Sequence, residues 1–269
     1  MDKELLIEGT VLEKCAQIQS GTVTVPDGIE EIGSLAFFRC RDITRVILPD
    51  SLRRIGRKAF AGCVRLTKAD IPSSVSFIDE EAFSDCERLE YVNIPEGIDS
   101  LSRAVFSGCT SLKKVFIPDS VRSIGPASFE RCLSLENVSL GSPTEEVGAY
   151  AFDECISLSL MELPTSLSSI GEGTFRNCSS VSSFSLSEAV HTIPSYAFAG
   201  CSHLEDFTVP GNVTSIGMHA FEGCSSLKNI TLGHSLGNIG YRAFYGCEGL
   251  PGIALPSSLV RLEAGVFEG

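Results

Sequence analysis

Apolar residues fall into two short runs that recur along the chain at a fixed interval. The first run opens on Leu (Leu66, Leu89, Leu112, Leu135), continues with Val (Val92, Val115, Val138) and closes on Ile71, Ile94, Ile117 or Leu140. The second pairs residues such as Leu52 with Ile55 or Val121 with Ile124. It usually ends in Gly, as at Gly33, Gly56, Gly125, Gly148, Gly171, Gly217 and Gly240. Between the runs stands Pro in eight copies, among them Pro26, Pro49, Pro118 and Pro256. In V-x-I the β-branched residues alternate with polar ones, which predicts a short strand with one face inward. Proline closes that strand because it has no amide hydrogen for the next ladder bond. The second run predicts another short extended edge, and Gly permits the corner after it.

One marker fixes the interval. Phe stands at 37, 60, 83, 106, 129, 152, 175, 198, 221, 244 and 267, a spacing of 23 throughout. Three residues after each of the first ten comes Cys, from Cys40 to Cys247, which leaves Cys15 outside the frame. The Ala-Phe-x-x-Cys spacing predicts a short helical or 3-10 turn with both side chains inward. A single loop of this size cannot bury its apolar face, but a stack of such loops can. The expected fold is a repeat solenoid, mainly β with those short turns, carrying a parallel sheet of about 11 short strands. It forms one structural domain: a capping hairpin over residues 1–22, then the solenoid over 23–269 with its last repeat incomplete. The hairpin is read from Leu5, Leu6, Ile7, Val11 and Leu12 around Glu8-Gly9.

The unit L-x-x-V-x-I-P-x-S-V-x-x-I-G-x-x-A-F-x-G-C-x-x resembles the BspA-like class of leucine-rich repeats, over about residues 20–269. The slot where many leucine-rich repeats carry an Asn ladder holds mostly Ser here (Ser51, Ser74, Ser120, Ser166, Ser235, Ser258), with Asn at Asn212. The resemblance implies a right-handed solenoid with a concave sheet, and surface adhesion or host-matrix binding as its work.

Composition narrows the classes. Hydrophobic residues at 43% and charged ones at 20% exclude wholesale disorder. A net charge of −13 argues against nucleic acid as a partner, since phosphate contacts need clustered cations. No run of 18 apolar residues exists, so no membrane span is expected, and Met1-Asp2-Lys3-Glu4 does not open a signal peptide. Location is thus expected at the cell surface or outside the cell by resemblance, or in the cytoplasm if Met1 is the native start.

Candidate chemistry is sparse. Ten stacked cysteines lack metal-ligand spacing and read as buried thiols, with Cys15 the one expected to be exposed. Gly233-His234-Ser235-Leu236-Gly237 matches the G-x-S-x-G elbow of hydrolases, yet Ser235 and Leu236 occupy the same slots as Ser51 and Leu52. His191, His203, His219 and His234 stand at four different repeat offsets, so no shared metal is expected, and no cofactor motif occurs. Asn137, Asn177, Asn212 and Asn229 head glycosylation sequons. Arg57-Lys58 facing Glu80-Glu81 one loop later reads as a register-setting pair.

The expected function is therefore a non-catalytic binding scaffold for a protein or glycan. A cytoplasmic interaction or regulatory module is the alternative, and a hydrolase built on Ser235 a remote one. Strand alternation points two residues per rung away from the core. The rungs with aromatic and basic side chains give the candidate face: Arg45, Ile47, Lys68, Tyr91, Asn93, Lys114 and Phe116. A strand is expected at Ile253 to Leu255, and its open edge predicts end-to-end self-association near residues 253–267 unless a longer chain covers them.

Overall fold

The computed structural model describes residues 5–15 and 21–269. Its chain winds into a right-handed parallel β-solenoid. Two ladders run its length. The front ladder is built from the V-x-I segments: Gly21–Thr24, Ile43–Ile47, Lys68–Ala69, Tyr91–Val92, Lys114–Phe116, Asn137–Ser139, Leu160–Glu162, Ser183–Ser185, Asp206–Thr208 and Asn229–Thr231. Its register repeats the sequence interval, with Val23 beside Val46, Val115 beside Val138 and Phe207 beside Ile230. The side ladder is built from the second runs, from Glu31–Ile32 to Arg261–Leu262. At its start Leu5–Glu8 pairs antiparallel with Val11–Cys15, which in turn pairs parallel with Glu31–Ile32. Residues 1–4 and 16–20 of the expected capping segment lie outside the described residues.

Between the ladders lies the core. From Phe37 to Phe244 each ring of the 23-residue series is at most 1% exposed. Neighbouring rings stack with centroids 4.9 to 5.8 Å apart and planes within 18°. Phe184 and Phe207 occupy the Val slot and lean against this column, with centroids 4.7 to 5.0 Å from its rings.

Three expectations need correction. No helical or 3-10 turn exists among the described residues; the Ala-Phe-x-x-Cys segment is a chain of β-turns. In one copy the Ala59 amide reaches the Gly56 carbonyl (3.1 Å) and the Cys63 amide reaches that of Phe60 (3.1 Å). Lys58 and Gly62, each third in its turn, have φ of 55° and 72°. That left-handed conformation defines a type II turn and stops a helix from propagating. The amides between them point along the stack instead: Lys58 donates to Glu80, Phe60 to Ala82 and Gly62 to Ser84. Second, Cys15 is buried (5% exposed) and Cys40 is the half-buried thiol. Third, Ile253 to Leu255 form no strand, and the last strand is Arg261–Leu262 in the side ladder.

Each ladder is interrupted twice. The front ladder's pairing breaks between Tyr91–Val92 and Lys114–Phe116, and again between Leu160–Glu162 and Ser183–Ser185. The side ladder breaks between Phe77–Ile78 and Ser100–Leu101, and again between Ser169–Ile170 and Thr192–Ile193. The last break has a local cause. Gly148, Gly171, Gly217 and Gly240 each donate an amide to the rung before, whereas the same slot one repeat after Gly171 is Pro194, which has none to give.

Candidate binding face

The outward positions of the front ladder bring the candidate residues onto one surface. Arg45 sits beside Lys68, and Lys68 beside Tyr91, in register. Ile47, Tyr91 and Phe116 are 44%, 50% and 63% exposed. The cations here are not equivalent. Arg45 and Lys68 share the carboxylate of Asp70, at 3.7 and 2.7 Å, and the Lys68 ammonium also lies over the Tyr91 ring at 5.6 Å. Lys114 makes no ion pair among the described residues.

Where the ladder opens between Tyr91–Val92 and Lys114–Phe116, the surface dips into a groove of about 330 Å³. Tyr91, Asn93, Lys114, Phe116, Asn137 and Ser139 form its walls. Asn93 is only partly turned toward solvent. Its amide nitrogen donates to the Ile71 carbonyl (2.6 Å) and its side-chain oxygen accepts the Ile71 amide (2.8 Å). Sequence alternation places Asn93 on the face, and the structure binds its polar end back into the rung below.

An exposed ring off the candidate list is Phe77 on the side ladder, 38% exposed and covered by the Arg54 guanidinium at 4.5 Å. It occupies a slot that is polar in the other repeats, and that substitution is the signal that would have found it. The pairs expected to set register do form: Lys58 meets Glu81 at 3.1 Å and Arg57 meets Glu80 at 3.8 Å.

The other chemistry-bearing residues form no reactive centre among the described residues. From Cys63 to Cys247 each thiol donates to the carbonyl of the Phe in the repeat before, at 3.1 to 3.3 Å. Burial pushes these thiols well up, to about 12 at Cys201 and Cys247, so they stay protonated. No disulfide joins any of the 11 cysteines. Ser235 is followed by the strand Asn238–Ile239 where a nucleophile elbow needs a helix, and its hydroxyl bonds no histidine among the described residues. No group of three His, Cys, Asp or Glu is placed to hold a metal among those residues.

Residues 6–136, 99–225 and 191–269 match the BspA type leucine rich repeat region, in six copies. The chain belongs to the BspA-type leucine-rich repeat family. A crystal structure of a leucine-rich repeat protein from Bacteroides ovatus is 31% identical, with a TM-score of 0.76 over 91% of this chain and 69% of that one. Two others share the fold at 21% identity. A leucine-rich repeat protein from Eubacterium ventriosum has a TM-score of 0.56 over 92% of this chain and 82% of its own. The pneumococcal vaccine antigen PcpA has a TM-score of 0.59 over 91% of this chain and 69% of its own. No curated protein is significantly similar. The leucine-rich-repeat solenoid is a fold typical of non-catalytic scaffolds for protein or glycan partners. No described helix is long and apolar enough to cross a membrane.

Proposed function

We propose that this BspA-type chain binds an extracellular protein or glycan through the front face of its early rungs, at Arg45, Ile47, Lys68, Tyr91, Lys114 and Phe116. Asn93 shapes the groove between them. The observation that carries this reading is the pair of exposed rings, Tyr91 and Phe116, on either side of the opened ladder. Exposed aromatics beside cations are the usual material of interface hot spots. Family membership supports a place at the cell surface, where an adhesive face is of use. The test is binding of the protein to an immobilised extracellular-matrix layer, with Tyr91→Ala plus Phe116→Ala as the variant. Loss of about 2 kcal/mol or more of affinity at unchanged circular dichroism is expected. Equal binding by the double variant sinks the reading.

A second contact concerns the far end. Val260 is 92% exposed, with Leu255, Leu262 and Phe267 at 45 to 46%. Beside them lies a groove of about 330 Å³ lined by Phe244, Leu250 and Ile253. We propose that a second copy covers this region, because Leu255, Val260, Leu262 and Phe267 gather exposed apolar side chains beside one groove. Sedimentation velocity on a dilution series should show a dimer that Val260→Lys dissociates; a monomer at every concentration refutes it.

A further inference from the structure

The groove beside Tyr91 and Phe116 carries more detail than a generic interface needs. Three observations meet there. The first is the backbone. In a continuous parallel ladder Val92 would exchange hydrogen bonds with Lys114 and Phe116. That pairing is broken here, and the backbone groups on both sides of the break border the groove. Such groups want partners that both donate and accept, which is what hydroxyl groups do. Second, Tyr91 and Phe116 expose ring area on the two sides of the groove, with Asn137 and Ser139 adding polar groups to its wall. Flat apolar faces set among amide and hydroxyl groups suit a ring that is apolar on its faces and polar at its rim. Third, Lys114 is the cation of this wall without an ion pair, whereas Arg45 and Lys68 are tied to Asp70.

Resting on the reading of this face as the binding site, we propose that the groove takes a sparsely acidic glycan, a sugar chain whose occasional carboxylate meets Lys114. The charge of the whole chain sharpens the choice. With a net charge of −13 on the molecule and Lys114 the one cation lining the groove, a densely sulfated polymer meets more repulsion than attraction there, so widely spaced acids are favoured. An acidic peptide would satisfy Lys114 but offers fewer groups that both donate and accept.

The probes are a hyaluronan hexasaccharide, which carries a carboxylate on alternate sugars, cellohexaose as a neutral chain, and a heparin hexasaccharide as a dense polyanion. Calorimetry and saturation-transfer NMR on the full chain read the binding. Hyaluronan hexasaccharide should bind best, and more weakly as salt rises. Tyr91→Ala with Phe116→Ala should lower that affinity at least about tenfold. Lys114→Gln should remove its salt dependence and its preference over cellohexaose. Absence of hyaluronan binding, equal binding by the double variant, or tighter binding of heparin or cellohexaose overturns the proposal. In the matrix-layer experiment, mild periodate oxidation separates the two claims. If oxidised matrix still binds the wild type and not the double variant, the partner is a protein; the glycan falls and the binding face stands.

Discussion

Asn93 shows how one side chain can complete a ladder that the backbone leaves open. Ile71 precedes Pro72, and the residue that would donate to the Ile71 carbonyl from the next rung is Pro95, which has no amide hydrogen. The Asn93 carboxamide supplies that donor and also accepts the Ile71 amide, since a planar amide end donates and accepts side by side. Asn93→Ala should therefore orphan a donor and an acceptor and cost about 1–3 kcal/mol, read as a lower urea midpoint. Asn93→Asp should cost as much, because a carboxylate facing the Ile71 carbonyl offers no proton; wild-type stability in either variant contradicts the assignment. At this scale the sequence is uneven as a guide. The Phe and Cys columns are legible because a single residue type returns at every rung. The donation of each thiol to a Phe carbonyl is not, since a three-residue spacing reports direction and not partner. Asn93 reads as outward because alternation holds for backbone direction, while the end of a long amide is free to turn back. Cys15 stands outside the repeat, and no frame predicts its burial.

The elements are short, and their turns explain why sequence periodicity misread them. A Phe-x-x-Cys spacing fits a helical turn and also fits the second of two successive type II turns, and only the left-handed residues distinguish them. In the first turn that position holds Leu35, Lys58, Glu81, Ala104, Ala127, Tyr150, Tyr196, His219 and Arg242, with φ between 51° and 63°, and Gly only at Gly173 and Gly265; in the second it holds Gly62, Gly108, Gly200, Gly223 and Gly246, so a glycine signature marks the second turn and not the first. A side chain in the left-handed position costs roughly 1–2 kcal/mol of local strain. Ala127→Gly relieves it against a gain of about 0.4–1 kcal/mol in unfolded-chain entropy, and so should raise stability by up to about 1.6 kcal/mol. A fall in the thermal midpoint of Ala127→Gly would show that the left-handed conformation is not strained. The strands themselves were readable from V-x-I alternation, and their absence at Ile253 to Leu255 follows from composition. Gly252 and Ala254 flank Ile253 there with little side chain to pack, and Pro251 just before them removes a ladder amide.

Across the whole molecule, charge and protons are distributed as unevenly as the side chains are regular. Residues 1–131 hold 17 of the 21 Lys and Arg, while residues 132–269 hold four against 14 acids. The proposed face thus lies in the half where the molecule's negative field is weakest, a bias that repeat-by-repeat reading does not reveal. The thiol column gives the molecule a pH limit. Its ordinary value is 9.0, and burial raises it to about 12 at Cys201 and Cys247. Above pH 9 the unfolded chain sheds protons that the folded chain keeps, so stability is full below that pH and declines as pH climbs toward 12. The loss is about 1.4 kcal/mol per pH unit for each such thiol. Urea midpoints measured from about pH 7 to about pH 10.5 should stay level and then drop steeply; a flat profile would mean the thiols already ionise in the fold. The ruler of 23 residues from Phe37 to Phe267 has a genetic meaning too. Unequal crossing-over between any two copies in the gene removes or adds a whole rung and rejoins a turn to its own equivalent. A crossing-over that left a loop one residue longer or shorter would put its strand's side chains on the wrong side of the sheet. Length is therefore the trait this architecture can vary most freely by recombination, and each such event lengthens or shortens the surface offered to a partner without redesigning it.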